Sequence, residues 1–135
     1  MTELEDLVVS GEELDKKLAA EILVTYVRLD KDKRGIRPTE GWIGLSEEQK
    51  ILVYLLARKA MLALNFDLTA EGATAGEVVQ DTGVKKGTAH PALRKLLGNR
   101  FLEQSEKGRY SVPNYAIPQI KSILSKKESK YGAEK

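Results

Sequence analysis

Residues 74–97 constrain the fold more than any other part of the chain. Thr74 and Glu77 have capping-box spacing, in which two backbone donors of a first helical turn find side-chain acceptors. Val78 and Val79 then face a core, and Gly83 ends the helix, because a left-handed residue there costs glycine little. A second short helix follows after a tight turn. Its Ala89, Leu93, Leu96 and Leu97 fall on one face, with His90, Arg94 and Lys95 on or beside the other. A start at Thr88 rather than Lys85 puts Pro91 at the third helical position, where its missing N–H breaks no internal bond. Gly98 is expected to close this helix. Residues 101–112 then read as a hairpin. Glu106, Lys107 and Gly108 form its turn, Arg109 to Val112 its return strand with Tyr110 and Val112 on one face, and Pro113 its end.

The clearest helix precedes this unit, from Ser46 to about Leu64. Ser46 and Gln49 form a second capping box. Leu52, Leu55, Leu56, Met61 and Leu62 spread apolar surface around much of the circumference, as in a buried central helix, with Tyr54 and Arg58 nearer a polar edge. Asn65 to Ala73 reads as a loop with room for a short strand. Near the C-terminus, Ile120, Ile123 and Leu124 mark a short helix beginning at Pro118. The lysine-rich stretch 126–135 is expected to be a disordered basic tail.

Residues 1–45 read as an N-terminal extension. Leu14, Leu18, Ile22 and Tyr26 predict a helix from Glu12 to Tyr26, with Ser10 as cap and Glu13 at its third helical position. Residues 23–29 are β-branched and equally compatible with a strand. Residues 30–41 are a turn-rich connector, either a hairpin or a plain link. Trp42 and Ile43 offer two readings, an exposed anchor for a partner or packing on the core, and the core is favoured.

Composition removes several classes of function. The chain has no cysteine and one histidine, which leaves neither disulfides nor an ordinary zinc site and fits a reducing cytoplasm. No apolar stretch reaches the roughly 18 residues of a membrane span, and the acidic start is unlike a secretory signal. Asp30, Asp32 and Gly35 echo a calcium loop, but Arg34 and Gly41 occupy its fifth and twelfth positions, where acceptors are needed. No nucleophile motif, phosphate-binding loop or dinucleotide fingerprint occurs. No catalytic residue, metal or cofactor is expected. Charged residues at 31% with few Asn, Gln and Met follow the trend of thermophilic proteins.

Residues 46–112 resemble the winged helix-turn-helix superfamily of bacterial and archaeal transcription regulators. The resemblance rests on the capped helix ending at Gly83, the apolar Ala89, Leu93 and Leu96, and Arg100 to Glu103 leading into a glycine-containing ribbon. It implies a mainly α fold with a small β-hairpin, a winged helix domain over 46–125, and double-stranded DNA as the partner. In that family the second helix of the motif enters the major groove and the ribbon meets an adjacent backbone. Arg94 is then the base-reading residue, since its planar fork bonds guanine O6 and N7 together. His90 reaches a base edge or a phosphate. Lys85, Lys86 and the amides of Gly87 and Thr88 form a phosphate seat at the helix N-terminus. Lys95, Lys107 and Arg109 add backbone contacts.

Charge placement agrees with this reading. Residues 1–49 carry 7 Lys/Arg against 12 Asp/Glu, whereas residues 85–110 carry 7 against 2. Exposed cations on a helix are also commonly just solvated. Pro91, in a place where such helices often carry a polar residue, and a wing with only Lys107 and Arg109 as cations both reduce the expected base readout. A winged helix acting as a protein-interaction module is the main alternative, and RNA binding through the same face is a third. Many such regulators are two-fold dimers, and residues 12–26 and 118–124 both qualify for that contact.

Overall fold

A computed structural model describes residues 16–33, 35–66, 68, 70–105 and 107–134, with side chains described as far as residue 125. In chain order the elements are α1 (Lys16–Leu23), β1 (Val27–Asp30), β2 (Gly35–Pro38), α2 (Glu40–Ile43), α3 (Glu47–Ala63), α4 (Ala75–Thr82), α5 (Lys86–Gly98), β3 (Glu103–Gln104), β4 (Tyr110–Ser111) and α6 (Ile117–Glu134). The described chain is mainly helical, with two small antiparallel hairpins, β1–β2 and β3–β4. No helix among the described residues is long and apolar enough to cross a membrane.

The axis of the fold is α3. Ser46 Oγ accepts from the Gln49 N–H at 3.2 Å and Gln49 Oε1 accepts from the Ser46 N–H at 2.9 Å, so the expected capping box is complete. Every residue from Ile51 to Arg58 is buried. A helix covered on all sides needs neighbours on all sides, and α1, β1, β2, α4, α5, β4 and α6 all pack on it. Each fully buried Leu or Ile in this stretch stabilises the fold by roughly 1.5–3 kcal/mol. Tyr54 and Arg58 are not at a polar edge. They are 2% and 8% exposed, because the loop after α3 folds back over them.

Helices α3 and α5 each end in a Schellman motif, in which a left-handed residue lets the chain turn back on the last turn. After α3 that residue is Asn65 (φ 65°), with Asn65 N–H donating to Leu62 O at 3.0 Å and Phe66 N–H to Met61 O at 2.9 Å. After α5 it is Arg100 (φ 68°), with bonds from Arg100 N–H to Leu97 O at 3.1 Å and Phe101 N–H to Leu96 O at 3.0 Å. Gly98 therefore does not close α5. It is the last helical residue, and the reversal falls at Arg100 because Phe101 must return against the core.

The start of α5 also departs from expectation. Thr88 and Ala89 both donate to Lys85 O, at 2.9 and 2.8 Å, so the first turn forms at Lys86 with Lys85 as its cap residue. Pro91 becomes the sixth residue of the helix and sits inside it. Burial of Ala89, Ala92, Leu93 and Leu96 against α3 and α4 holds the helix through the proline.

The N-terminal segment resolves into more than one helix. Glu12 to Asp15 and the Ser10 cap lie outside the described residues; α1 ends at Leu23, and Val27–Asp30 becomes a strand. The partner Gly35–Pro38 lies across a short turn in register, Val27 opposite Pro38 and Asp30 opposite Gly35. Arg37 Nε donates to Asp30 Oδ2 at 2.8 Å across that hairpin, holding the Asp30 carboxyl below its ordinary range. The described part of the expected extension is integral to the fold. Ala19, Ile22, Leu23, Val27, Trp42 and Leu45 share one apolar core with α3. Trp42 is buried within it, while Ile43 is 78% exposed. On the far side, α6 is tied to α1 by Lys121 and Glu21 at 3.5 Å and to α3 by Gln49 Nε2 donating to Ile123 O at 3.4 Å. Its helix runs to Glu134, past the expected end at Leu124 and through the segment expected to lack regular structure.

Candidate nucleic-acid interface

The unit that presents the basic face is α4, its turn and α5. Thr74 Oγ1 accepts from the Glu77 N–H at 3.2 Å, and Glu77 Oε1 accepts from the Thr74 N–H at 2.9 Å, which starts α4 where the sequence indicates. Gly83 has φ 80°, a conformation that a side chain would strain, and its N–H donates to Val79 O at 3.1 Å. Val84 then drops into the core, and α5 leaves the turn with its apolar side on α3 and α4.

The opposite side of α5 faces solvent. Lys85, Lys86, Gly87, Thr88, His90, Pro91, Arg94, Lys95 and Gly98 are all exposed. Lys86, His90 and Arg94 are spaced by four and form one row along the helix. Among the described residues, none of Lys85, Lys86, His90 and Arg94 is in an ion pair. Lys95 is: its Nζ lies 3.2 Å from Glu48 Oε2 at the start of α3. The Lys86 and Gly87 N–H groups have no acceptor among the described residues, as the first donors of a helix should not. Thr88 N–H is already bonded to Lys85 O, so the backbone donors at this helix start are those of Lys86 and Gly87 rather than Gly87 and Thr88.

The β3–β4 hairpin follows α5 in the chain. Glu103 pairs with Ser111 and Gln104 with Tyr110, and the turn closes with Gly108 N–H donating to Ser105 O at 3.0 Å. A third segment joins on the other edge: Ala73 and Tyr110 exchange both backbone bonds, at 2.9 and 2.8 Å. It is a single bridge, not the short strand for which the loop had room. The return strand is shorter than expected, Tyr110–Ser111, and Val112 is buried.

Lys107 is exposed at the hairpin tip, but Arg109 is not available there. Its Nη1 donates to Gly72 O at 3.0 Å and to Glu77 Oε1 at 2.9 Å, so the side chain is turned inward and ties the hairpin to α4. Arg109, expected to add a backbone contact, has its guanidinium on these two acceptors instead of projecting from the hairpin. Partial burial pushes the Glu77 carboxyl upward, but the Thr74 N–H, Arg109 and Arg58 outweigh it and hold it below the usual carboxylate range.

Behind the hairpin, Arg58 fixes the loop that carries Gly72. Its Nε donates to Glu71 O at 3.1 Å, and its Nη2 to Ala70 O at 2.8 Å and Gly72 O at 3.1 Å. Its Nη1 donates to the Tyr54 hydroxyl at 3.4 Å, and that hydroxyl donates to Asp81 Oδ2 on α4. Burial, with the Asp81 bond, pushes the Tyr54 phenol far above its ordinary range. Gly72 is required at the junction, since a Cβ there would come within 3.0 Å of both Arg109 Cβ and Tyr110 O. One buried guanidinium thus links α3 to the loop, reaches α4 through the Tyr54 hydroxyl, and shares the Gly72 carbonyl with Arg109 of the hairpin.

The sequence locates the exposed cations of α5 but not the carboxylates that pair with Lys95 on that helix and with Arg109 on the hairpin. Glu48 lies 47 residues from Lys95, and Glu77 lies 32 residues from Arg109. Glu77 was visible only as a capping residue, and its second bond has no local signature. Comparison of the chain with models of known protein families and with curated proteins finds no match to either.

Proposed function

We propose that this chain binds double-stranded DNA as a winged helix-turn-helix protein and acts as a transcription regulator. In this reading α5 enters the major groove and the β3–β4 hairpin rests on the adjacent backbone. The observation that carries it is the row Lys86, His90 and Arg94 on the outward face of α5. The row is exposed and in no ion pair among the described residues, and it is presented by a capped helix, a glycine turn and a second helix. The order of α3, the Ala73 bridge, α4, α5, β3 and β4 is that of a winged helix. Arg94 reads a guanine through its fork. The amides of Lys86 and Gly87, with Lys85 and Lys86, hold a phosphate at the positive end of the helix dipole. Lys107 supplies a contact from the hairpin.

Three cations on phosphate, Lys85, Lys86 and Lys107, imply a fall in log K with log salt of slope about −2.7. The test is fluorescence anisotropy of a labelled random-sequence duplex titrated with the protein over a series of salt concentrations. A slope near that value supports the reading. No binding at low salt would overturn it in favour of an interaction module, and preference for single-stranded RNA over the duplex would redirect it to RNA.

A further inference from the structure

We infer that the duplex engages α5 along one flank only, with its backbone on the Lys86 side, and that Glu47 and Glu48 keep it off the Lys95 flank. The inference rests on the DNA-binding reading and concerns which part of the basic face is used. Arg94 lies near the middle of the outward face. Lys86 and His90 lie to one side of it, and Lys95 is about 100° further round the helix. The two sides differ in what stands beside them.

On the Lys95 side, the start of α3 approaches α5 across a groove of about 530 Å³ lined by Glu47, Glu48, Gly87, Thr88, Pro91 and Lys95 among others. Glu48 is paired with Lys95 at 3.2 Å, and Glu47 lies 3.8 Å from Lys50. The groove itself is lined by two carboxylates, Glu47 and Glu48, and one cation, Lys95. Both carboxylates sit in the first turn of α3, where the helix dipole favours negative charge and the capping box fixes the backbone. The exposed pair is weak in itself. What excludes a phosphate is that reaching Lys95 brings it beside two anchored carboxylates. Away from that groove, Lys86, His90 and Arg94 have no ion-pair partner among the described residues, and the Lys86 N–H has no acceptor among them. A polyanion placed on α5 therefore gains contacts on one flank and meets repulsion on the other. Lys95, a cation on the right helix, is withheld from the interface.

The experiment is the same anisotropy salt series on the full chain, comparing Lys86→Ala, Lys95→Ala, Glu48→Gln and the double variant Glu48→Gln with Lys95→Ala. Thermal melts confirm that each is folded; all three positions lie outside the buried core. Lys86→Ala should flatten the salt slope by about 0.9, the loss of one phosphate contact. Lys95→Ala should leave the slope of the native protein unchanged. Glu48→Gln should tighten binding and steepen the slope by about 0.9 as Lys95 becomes free to take a phosphate. The double variant should lose that gain. Equal flattening by Lys86→Ala and Lys95→Ala, or no change with Glu48→Gln, would overturn the one-flank inference while leaving DNA binding intact. Failure of the native chain to bind the duplex at low salt would instead overturn the DNA reading itself.

Discussion

Pro91→Ala distinguishes the observed start of α5 from the start the sequence suggests. In the structure Pro91 is the sixth residue of α5, after a first turn closed by Thr88 and Ala89 donating to Lys85 O. The bond it removes would run from residue 91 to the Gly87 carbonyl, and its ring crowds that same carbonyl. A proline in a helix interior costs about 3 kcal/mol relative to alanine. The unfolded chain recovers about 0.4–1 kcal/mol of this, because alanine has more conformations to lose. Gly87 is exposed, so water can take its carbonyl and soften the loss further. The net expectation is that Pro91→Ala stabilises the protein by about 2 kcal/mol, or roughly 6–10 °C in Tm for a chain of this size. Urea unfolding followed by far-UV circular dichroism reads the change as a higher midpoint at unchanged m value. If α5 began at Thr88 instead, Pro91 would sit where no N–H is needed, and alanine would be neutral or slightly destabilising. A midpoint that stays put or falls therefore refutes the observed first turn, and with it the placement of the Lys86 and Gly87 amides.

Two further predictions concern the network behind the hairpin. Arg58→Met keeps bulk and removes the donors to the carbonyls of Ala70, Glu71 and Gly72; it should destabilise the fold by about 2–4 kcal/mol in urea unfolding, and a loss under about 1 kcal/mol would show that those carbonyls do not depend on Arg58. The second is a pH dependence. Because the folded-state pKa of Glu77 is depressed, its contribution is complete above the ordinary glutamate range near pH 4.3 and is lost as pH falls through the lower folded value. The difference in urea midpoint between the native chain and Glu77→Gln should thus be constant at neutral pH and shrink between about pH 5 and pH 3; a gap that stays constant to acid would mean that the carboxylate bonds to Thr74 and Arg109 do not set its titration.

Local chemistry determined the elements whose signals lie within a few residues. The capping boxes at Ser46 and Thr74 and the turn at Gly83 need only their immediate neighbours, and all three stand where the sequence indicates. The exposed row on α5 was legible for a similar reason: a 3.6-residue period separates Ala89, Leu93 and Leu96 from His90 and Arg94 without reference to the rest of the chain. Tertiary structure decided what depends on a distant partner. Tyr54 and Arg58 look like polar-edge residues of an amphipathic helix until the loop at 70–72 brings three carbonyls to the guanidinium. Residues 27–30 had no local reason to prefer strand over helix, and Gly35–Pro38 supplied one by pairing with them. Lys86 to Gly98 is helical through a proline because burial on α3 and α4 outweighs a local penalty. Arg109 and Lys95 carry the same charge as Arg94 in the sequence. Only the approach of Glu77 and Glu48 in space makes the first a tether, the second a paired cation, and leaves the third without an ion-pair partner among the described residues.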